Sequence, residues 1–139
     1  MKSARPQILL IEDNPADANL VGEAIAEAQL ECELSVLRDG AQAIEFIDRL
    51  DADLSHPGPD IVLLDLNLPK MSGEAVLKRV RLSKSCGDAK VLIVSSSDAP
   101  SDRERVMTLG ASDYFRKPSD LEQFMQLGSK IRAMLAPAV

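Results

Sequence analysis

Residues 60–65 read DIVLLD, four apolar residues in succession with an aspartate at each end. A strand without polar alternation is buried on both faces, as it is in a parallel sheet covered by helices. The runs QILLIE at 7–12 and KVLIV at 90–94 have the same character. Helical start signals or helical apolar spacing follow each run, so the sequence predicts strands that alternate with helices.

Five strand–helix units are expected along the chain. The strands are predicted at 7–12, 33–37, 60–65, 90–94 and 113–116. Asn14 and Ser72 are expected to cap the first and third helices with their side-chain oxygens. Capping-box patterns at Ser101 and Ser119, each with a glutamate three residues later, predict where the last two helices begin.

Two glycines carry further expectations. Gly110 follows the fourth predicted helix and suits a left-handed helix end. Gly128 lies inside the last predicted helix, where glycine costs about 1 kcal/mol relative to alanine. We therefore expect Gly128 to mark close packing against a neighbouring element.

The predicted fold is α/β, a flavodoxin-like, doubly wound (βα)5 domain that spans residues 1–139. Short connections between the units indicate a five-stranded parallel sheet with helices on both faces. Right-handed crossovers leave few topologies, and the strand order 2-1-3-4-5 is a natural choice for five units. The residues alone leave that order open.

Composition excludes several classes of function. Sixteen basic and 22 acidic residues give a net charge of -6, which argues against binding to nucleic acid or to an anionic membrane. No apolar run is long enough to span a bilayer. Cys32 and Cys86 lack metal-ligand spacing, and a single histidine cannot build a zinc site. We expect two reduced cysteines in a cytoplasmic protein.

Polar residues stand where the predicted strands end. Glu12 and Asp13 end the first strand, Asp65 ends the third, Ser95 follows the fourth, and the fifth runs into Lys117. Because parallel strands end at one edge of the sheet, these side chains are expected to converge there. Clustered carboxylates repel one another unless a cation is present, and an all-oxygen ligand set suits Mg²⁺.

These residues resemble the receiver domain of two-component response regulators. The motifs that carry the resemblance are Glu12-Asp13, Asp65-Leu66-Asn67-Leu68-Pro69, Ser95, Tyr114 and Lys117-Pro118. The spacings, 95 − 65 = 30 and 117 − 95 = 22, are those of that family. The resemblance covers essentially the whole chain. It implies a (βα)5 fold and transfer of a phosphoryl group from a histidine kinase to Asp65.

The resemblance also implies a role for each acidic position. Asp65 would be the phosphoacceptor and a Mg²⁺ ligand. Asp13 would bind Mg²⁺ directly, Glu12 directly or through water, and Asn67 through its backbone carbonyl. Glu12 replaces the aspartate often found there, and it keeps the carboxylate that the role needs.

Three further residues would respond to the phosphoryl group. Lys117 would pair with Asp65 and then with a phosphoryl oxygen. Ser95, which replaces the commoner threonine, would donate a hydrogen bond to another oxygen. Tyr114 would turn inward behind it and reshape the face formed by the fourth helix, fifth strand and fifth helix.

A narrower resemblance concerns partners. EDNPAD at 12–17, the extended loop before the third strand and DLNLPK at 65–70 are similar to regulators paired with bacterial and cyanobacterial phytochromes. These are commonly stand-alone receivers that dimerise through the fifth strand and last helix. The expected partners are thus a sensor histidine kinase, with a bacteriophytochrome as one candidate, and a second copy of the chain. The chain ends shortly after the fifth helix, so no output domain is expected, and the downstream protein partner stays unidentified.

Three alternative functions fit the sequence less well. A phosphatase of the haloacid dehalogenase type needs a second aspartate two residues after the nucleophile, where this chain has Asn67. A flavodoxin-like binder of flavin mononucleotide needs a phosphate loop after the first strand, but residues 13–17 are acidic there. A degenerate receiver would lack some of the site residues. We therefore expect a phosphoacceptor that catalyses only its own phosphorylation and dephosphorylation.

Overall fold

Five parallel strands and five helices alternate in the computed structural model, which describes residues 5–136. The ends of the expected 1–139 domain, residues 1–4 and 137–139, lie outside the described part. The strands are β1 Gln7–Ile11, β2 Glu33–Leu37, β3 Ile61–Leu64, β4 Lys90–Ser95 and β5 Asp113–Arg116. The helices are α1 Pro15–Glu27, α2 Gly40–Ala52, α3 Gly73–Leu82, α4 Pro100–Thr108 and α5 Leu121–Leu135.

The strand order is β2-β1-β3-β4-β5, and every neighbouring pair is parallel. This order confirms the flavodoxin-like expectation. β1 and β3 are neighbours, and Ile11 lies opposite Leu64 in their register. The residues that follow these two strands are therefore brought to the same point on the sheet edge.

Both faces of the sheet are covered. The four residues of β3 are fully buried, as the run DIVLLD predicted. Val62 and Leu64 pack with residues of α2, α3 and α4, whereas Ile61 and Leu63 pack with residues of α1 and α5. Two apolar layers thus hold the sheet rigid between helices, and the polar strand ends project from that rigid base.

Three of the predicted helix signals are confirmed. The Asn14 side chain accepts from the backbone N–H groups of residues 16 and 17, and the Ser72 side chain accepts from Ala75. Gly110 follows α4 with φ +110°, a conformation that glycine adopts without steric cost.

The two capping-box predictions are wrong. α4 begins at Pro100 rather than after Ser101, and no side chain caps it. Proline at the first helical position has its φ already set and loses no hydrogen bond there, so it starts the helix earlier. α5 is capped by Asp120 rather than Ser119, since the Asp120 carboxylate accepts hydrogen bonds from the backbone N–H groups of residues 122 and 123.

Within residues 5–136, no helix combines the length and apolar composition that crossing a membrane requires.

Cys32 and Cys86 are both free thiols. Burial raises the pKa of the Cys86 thiol, which keeps it protonated and unreactive at neutral pH.

Close packing of α1 against α5 explains the glycine inside α5. A Cβ atom on Gly128 would lie 2.2 Å from the Ala24 carbonyl oxygen and 2.8 Å from the Ala28 Cβ. Such distances are below van der Waals contact, so only glycine allows this approach. The expectation of close packing at Gly128 is confirmed.

We predict that Gly128→Ala lowers the free energy of unfolding by about 1–3 kcal/mol, because the overpacking outweighs the gain in helix propensity. Gly22→Ala is the matched control, since a Cβ on Gly22 in α1 meets nothing within 4 Å. That substitution is expected to raise the free energy of unfolding by up to about 1 kcal/mol. Urea denaturation measures both, and equal stabilisation by the two alanines would contradict the packing argument.

The Asp51 carboxylate, near the end of α2, joins three segments. It accepts hydrogen bonds from the Ser83 hydroxyl at 2.7 Å, the Ser85 backbone N–H at 2.9 Å and the Arg79 guanidinium at 2.9 Å. Burial alone would raise the pKa of Asp51, but these bonds outweigh it and hold that pKa well below its usual value of 3.8. The contribution of Asp51 to stability is therefore present above pH 3.8 and is lost as the pH falls below it.

We predict that Asp51→Asn lowers the free energy of unfolding by about 1–3 kcal/mol at pH 7, since it weakens a charge-assisted network. The difference between the wild type and the variant should narrow below about pH 4, where unfolded Asp51 takes up a proton. Urea unfolding from pH 3 to pH 8 measures this. A difference that is constant across the range would contradict the assigned role.

Candidate metal and phosphoryl site

Three carboxylates meet where β1 and β3 end. Glu12, Asp13 and Asp65 each place one oxygen within 4.8 Å of the others. Glu12 is 1% exposed and Asp65 is 6% exposed, whereas Asp13 faces solvent. The structure thus brings together the acidic residues that the sequence predicted at this edge.

Backbone hydrogen bonds fix the positions of the two buried carboxylates. The Asp65 N–H donates to the Ile11 carbonyl at 3.1 Å and ties the end of β3 to β1. The Glu12 N–H donates to the Leu37 carbonyl at 2.9 Å and continues the pairing with β2. Both side chains therefore extend from a backbone that the central sheet holds in place.

The loop that follows Asp65 folds back on it. The Asn67 backbone N–H donates to Asp65 Oδ1 at 3.1 Å, which leaves Oδ2 facing the other side chains. The Gly73 N–H donates to the Leu66 carbonyl at 3.1 Å and anchors this loop to the start of α3. Lys70, within the loop, has φ +70°, an uncommon conformation for a residue with a side chain.

Lys117 provides the positive charge of the site. Its Nζ lies 2.8 Å from Glu12 Oε1, 2.8 Å from Asp17 Oδ2 and 3.3 Å from Asp65 Oδ2. The Lys117 side chain is 11% exposed, and its backbone N–H donates to the Ser95 carbonyl at 2.7 Å. One ammonium group therefore contacts three carboxylates, two directly after β1 and β3 and one in α1.

Burial and neighbouring charges both alter the acid–base properties of the site. Burial raises the pKa of Glu12 from 4.5 to about 7, although the Lys117 ammonium opposes the rise. The neighbouring Asp65 carboxylate raises that pKa further. Burial alone would lower the pKa of Lys117, but its hydrogen bonds to Asp17 and Glu12 raise it above the usual value, so Lys117 stays charged.

The donor set fits a divalent cation. Carboxylate oxygens are hard ligands, and three of them lie close enough to share one ion. A single ammonium group does not balance the nearby acids, so a cation at this edge would relieve their repulsion. The predicted fourth ligand, the Asn67 carbonyl, stays a prediction.

The predicted switch residues lie beside this cluster. Ser95 is fully buried at the end of β4, and its Oγ accepts from the Ser97 N–H at 3.2 Å. Tyr114 is 6% exposed; its hydroxyl donates to the Ser97 carbonyl at 2.9 Å, and the Arg103 guanidinium lies 5.4 Å from its ring centre. The ring is therefore buried, with its hydroxyl held at the loop that follows β4. The inward turn of Tyr114 stays a prediction.

One residue of the cluster was missed. Asp17 in the first turn of α1 was not among the predicted site residues, although it contacts Lys117 as closely as Glu12 does. The helix start at Asn14-Pro15 was the available signal. It places residue 17 within one turn of the strand end that carries Asp13.

Comparison with known proteins gives a consistent result. The family model of the response regulator receiver domain matches residues 8–128. Response regulator Rcp1 of Synechocystis sp. is 32% identical over 120 residues, which cover 86% of this chain and 82% of Rcp1. The chain spans about half the length of several other curated relatives.

Solved structures of similar proteins share the fold. The phosphorylated cyanobacterial phytochrome response regulator RcpA superposes with a TM-score of 0.83 at 32% identity, covering 95% of this chain and 94% of RcpA. The Mn²⁺-bound form of Rcp1 superposes with a TM-score of 0.80 at 30% identity, covering 92% of both chains. The similarity thus includes a phosphorylated protein and a metal-bound one.

Proposed function

Because the chain belongs to the response regulator receiver family, we propose that it accepts a phosphoryl group on Asp65 from a sensor histidine kinase. One observation carries the assignment to Asp65. Its carboxylate is buried at the end of β3, with Lys117 Nζ at 3.3 Å and with oxygens of Glu12 and Asp13 within 4.8 Å. A nucleophile, a cation and a metal-ligand set therefore meet at one point.

The transfer is an in-line displacement at phosphorus. A carboxylate oxygen of Asp65 forms the new P–O bond while the P–N bond of the kinase phosphohistidine breaks. The electron pair of that bond stays on the imidazole nitrogen. Glu12, Asp13, Asp65 and the Asn67 carbonyl would hold Mg²⁺, which supplies charge neutralisation for the phosphoryl oxygens when it is bound.

The chain's own residues complete the site. Lys117 neutralises a phosphoryl oxygen, and the Ser95 hydroxyl donates a hydrogen bond to another while its oxygen accepts from the Ser97 N–H. The Tyr114 hydroxyl, which donates a hydrogen bond to the Ser97 carbonyl, holds the β4–α4 loop close to Ser95. Water attack on phosphorus later returns Asp65 to its carboxylate. In this proposal the protein catalyses only the phosphorylation and dephosphorylation of its own Asp65.

The proposal extends to partners. Similarity to the phytochrome response regulator RcpA supports a kinase of the phytochrome class. A cytoplasmic pathway and a single receiver domain over residues 1–139 are part of the same proposal. A homodimer through β5 and α5 is also proposed. β5 is an edge strand, and Leu121 at the start of α5 is 57% exposed. Phe124 and Leu127, by contrast, are buried within the chain, so they are unavailable to a partner.

Acetyl phosphate provides a test of phosphorylation that needs no kinase. The protein is incubated with it, with and without Mg²⁺, and the intact mass is measured. A gain of one phosphoryl group that requires Mg²⁺ is expected. Reduction of the acyl phosphate with borohydride, followed by peptide mapping, should mark Asp65. A folded protein that gains no mass and binds no trifluoroberyllate would contradict the proposal.

A further inference from the structure

Lys117 has more acceptors than the phosphoryl chemistry needs. An ammonium group has three protons, and its three contacts here are Glu12, Asp17 and Asp65. The contact to Asp65 is the longest of the three, at 3.3 Å against 2.8 Å for each of the others. The lysine is therefore held more closely by Glu12 and Asp17 than by the proposed phosphoacceptor.

Helix capping does not explain the position of Asp17. An acid three residues after an N-cap ordinarily accepts from the backbone N–H of the cap residue, in a capping box. Here the Asn14 N–H donates to Glu12 Oε2 at 3.2 Å instead. The Asn14 side chain caps the helix by accepting from residues 16 and 17. The Asp17 carboxylate is thus directed to Lys117.

Asp17 differs from Glu12 in its freedom to move. The Glu12 side chain is 1% exposed, so it has no room to leave Lys117, whereas the Asp17 side chain is 26% exposed. Asp17 also lies in the first turn of α1, where the helix dipole stabilises a negative charge without any other partner. Among the three acceptors, Asp17 can turn to solvent at the lowest cost.

We propose that Asp17 is a positioning residue that holds Lys117 on the α1 side of the pocket and competes with the phosphoryl group for it. This inference rests on the proposed function. When a phosphoryl group joins Asp65, the local negative charge increases, and Lys117 transfers its hydrogen bond from Asp17 to a phosphoryl oxygen. Asp17 thereby sets how readily the site accepts the group.

Removing the Asp17 charge should free Lys117 for its new partner. Asp17→Asn is expected to tighten the binding of trifluoroberyllate, a phosphoryl mimic, roughly five-fold in the presence of Mg²⁺. Asp17→Glu keeps the carboxylate and should bind within about two-fold of the wild type, a rescue expected of the charge rather than of the shape. Glu23→Gln, at an exposed position of α1, is the control for net charge and should leave the affinity unchanged.

A second measurement needs neither metal nor phosphoryl mimic. The ¹⁵N-lysine spectrum of the metal-free protein reports the Lys117 ammonium directly. Asp17→Asn should shift this resonance and speed its hydrogen exchange with water, whereas Glu23→Gln should not. Calorimetric titration with trifluoroberyllate and this spectrum together distinguish a failure of the Asp17 role from a failure of the proposed function. An Asp17→Asn protein with wild-type affinity, or with an unchanged Lys117 resonance, would overturn the role of Asp17. Failure of the wild type to bind trifluoroberyllate would instead overturn the proposed function.

Discussion

Asp65→Asn is expected to reduce labelling by acetyl phosphate to background. An amide lacks the anionic oxygen that attacks phosphorus, and it removes one of the three carboxylates that lie within 4.8 Å of one another. Asp65 is the carboxylate that follows the buried strand β3 and contacts Lys117, at 3.3 Å. The measurement is intact mass with and without Mg²⁺, with circular dichroism to verify that the variant is folded.

Asp60→Asn is the matched control for this experiment. Asp60 directly precedes β3, so it lies at the opposite end of the same strand, where its carboxylate accepts from the Gln7 N–H at 2.7 Å. The same chemical change there should leave Mg²⁺-dependent labelling intact. If Asp65→Asn were still labelled in a Mg²⁺-dependent way, the phosphoacceptor would be another residue and the assignment would fail.

Lys117→Gln should lower the free energy of unfolding of the metal-free protein by about 3–5 kcal/mol, because it leaves buried carboxylates without their cation. Glu12 and Asp65 are the groups affected, since both are almost fully buried. Lys130→Gln removes a more exposed lysine, whose Nζ lies 2.8 Å from Asp113, and should cost about 1 kcal/mol or less. Urea unfolding of the three proteins in a chelator gives the comparison.

The loss in free energy of unfolding caused by Lys117→Gln should depend on pH and on the presence of Mg²⁺. The pKa of Glu12 is raised above its usual 4.5 to about 7, so ionisation of Glu12 destabilises the fold as the pH rises through that window. Without Lys117 the pKa of Glu12 rises further, and the deficit should grow between pH 5 and pH 8. Saturating Mg²⁺ binds the folded state and should therefore reduce the difference in free energy of unfolding between the wild type and the variant. A deficit independent of both would contradict the electrostatic account.

The strands β1, β3 and β4 were predictable because burial on both faces leaves a continuous apolar run. The run at 60–65 became β3, and each strand boundary differs from its prediction by at most one residue. The order of the strands was not predictable from the residues, since an apolar strand carries no mark of its neighbour. The helix starts at Ser101 and Ser119 were wrong because Pro100 and Asp120 offered competing starts close by.

The site was predictable as far as it lies at strand ends. Parallel strands all end at one edge of the sheet, so Glu12, Asp13 and Asp65 were expected at that edge whatever the strand order. Asp17 was not predictable in the same way. Its contact with Lys117 joins the first turn of a helix to a distant loop, and in the sequence it has the spacing of an ordinary capping acid.

The contact between Gly128 and Ala24 also has a consequence for how the chain folds after synthesis. The apolar face of α1 is made early, but the helix that covers it is the last described element of the chain. Until α5 leaves the ribosome, Val21 and Ile25 lack part of their cover and stay open to chaperones. Completion of the fold therefore waits until α5 has been synthesised, and a chain truncated before α5 should be a substrate for proteolysis.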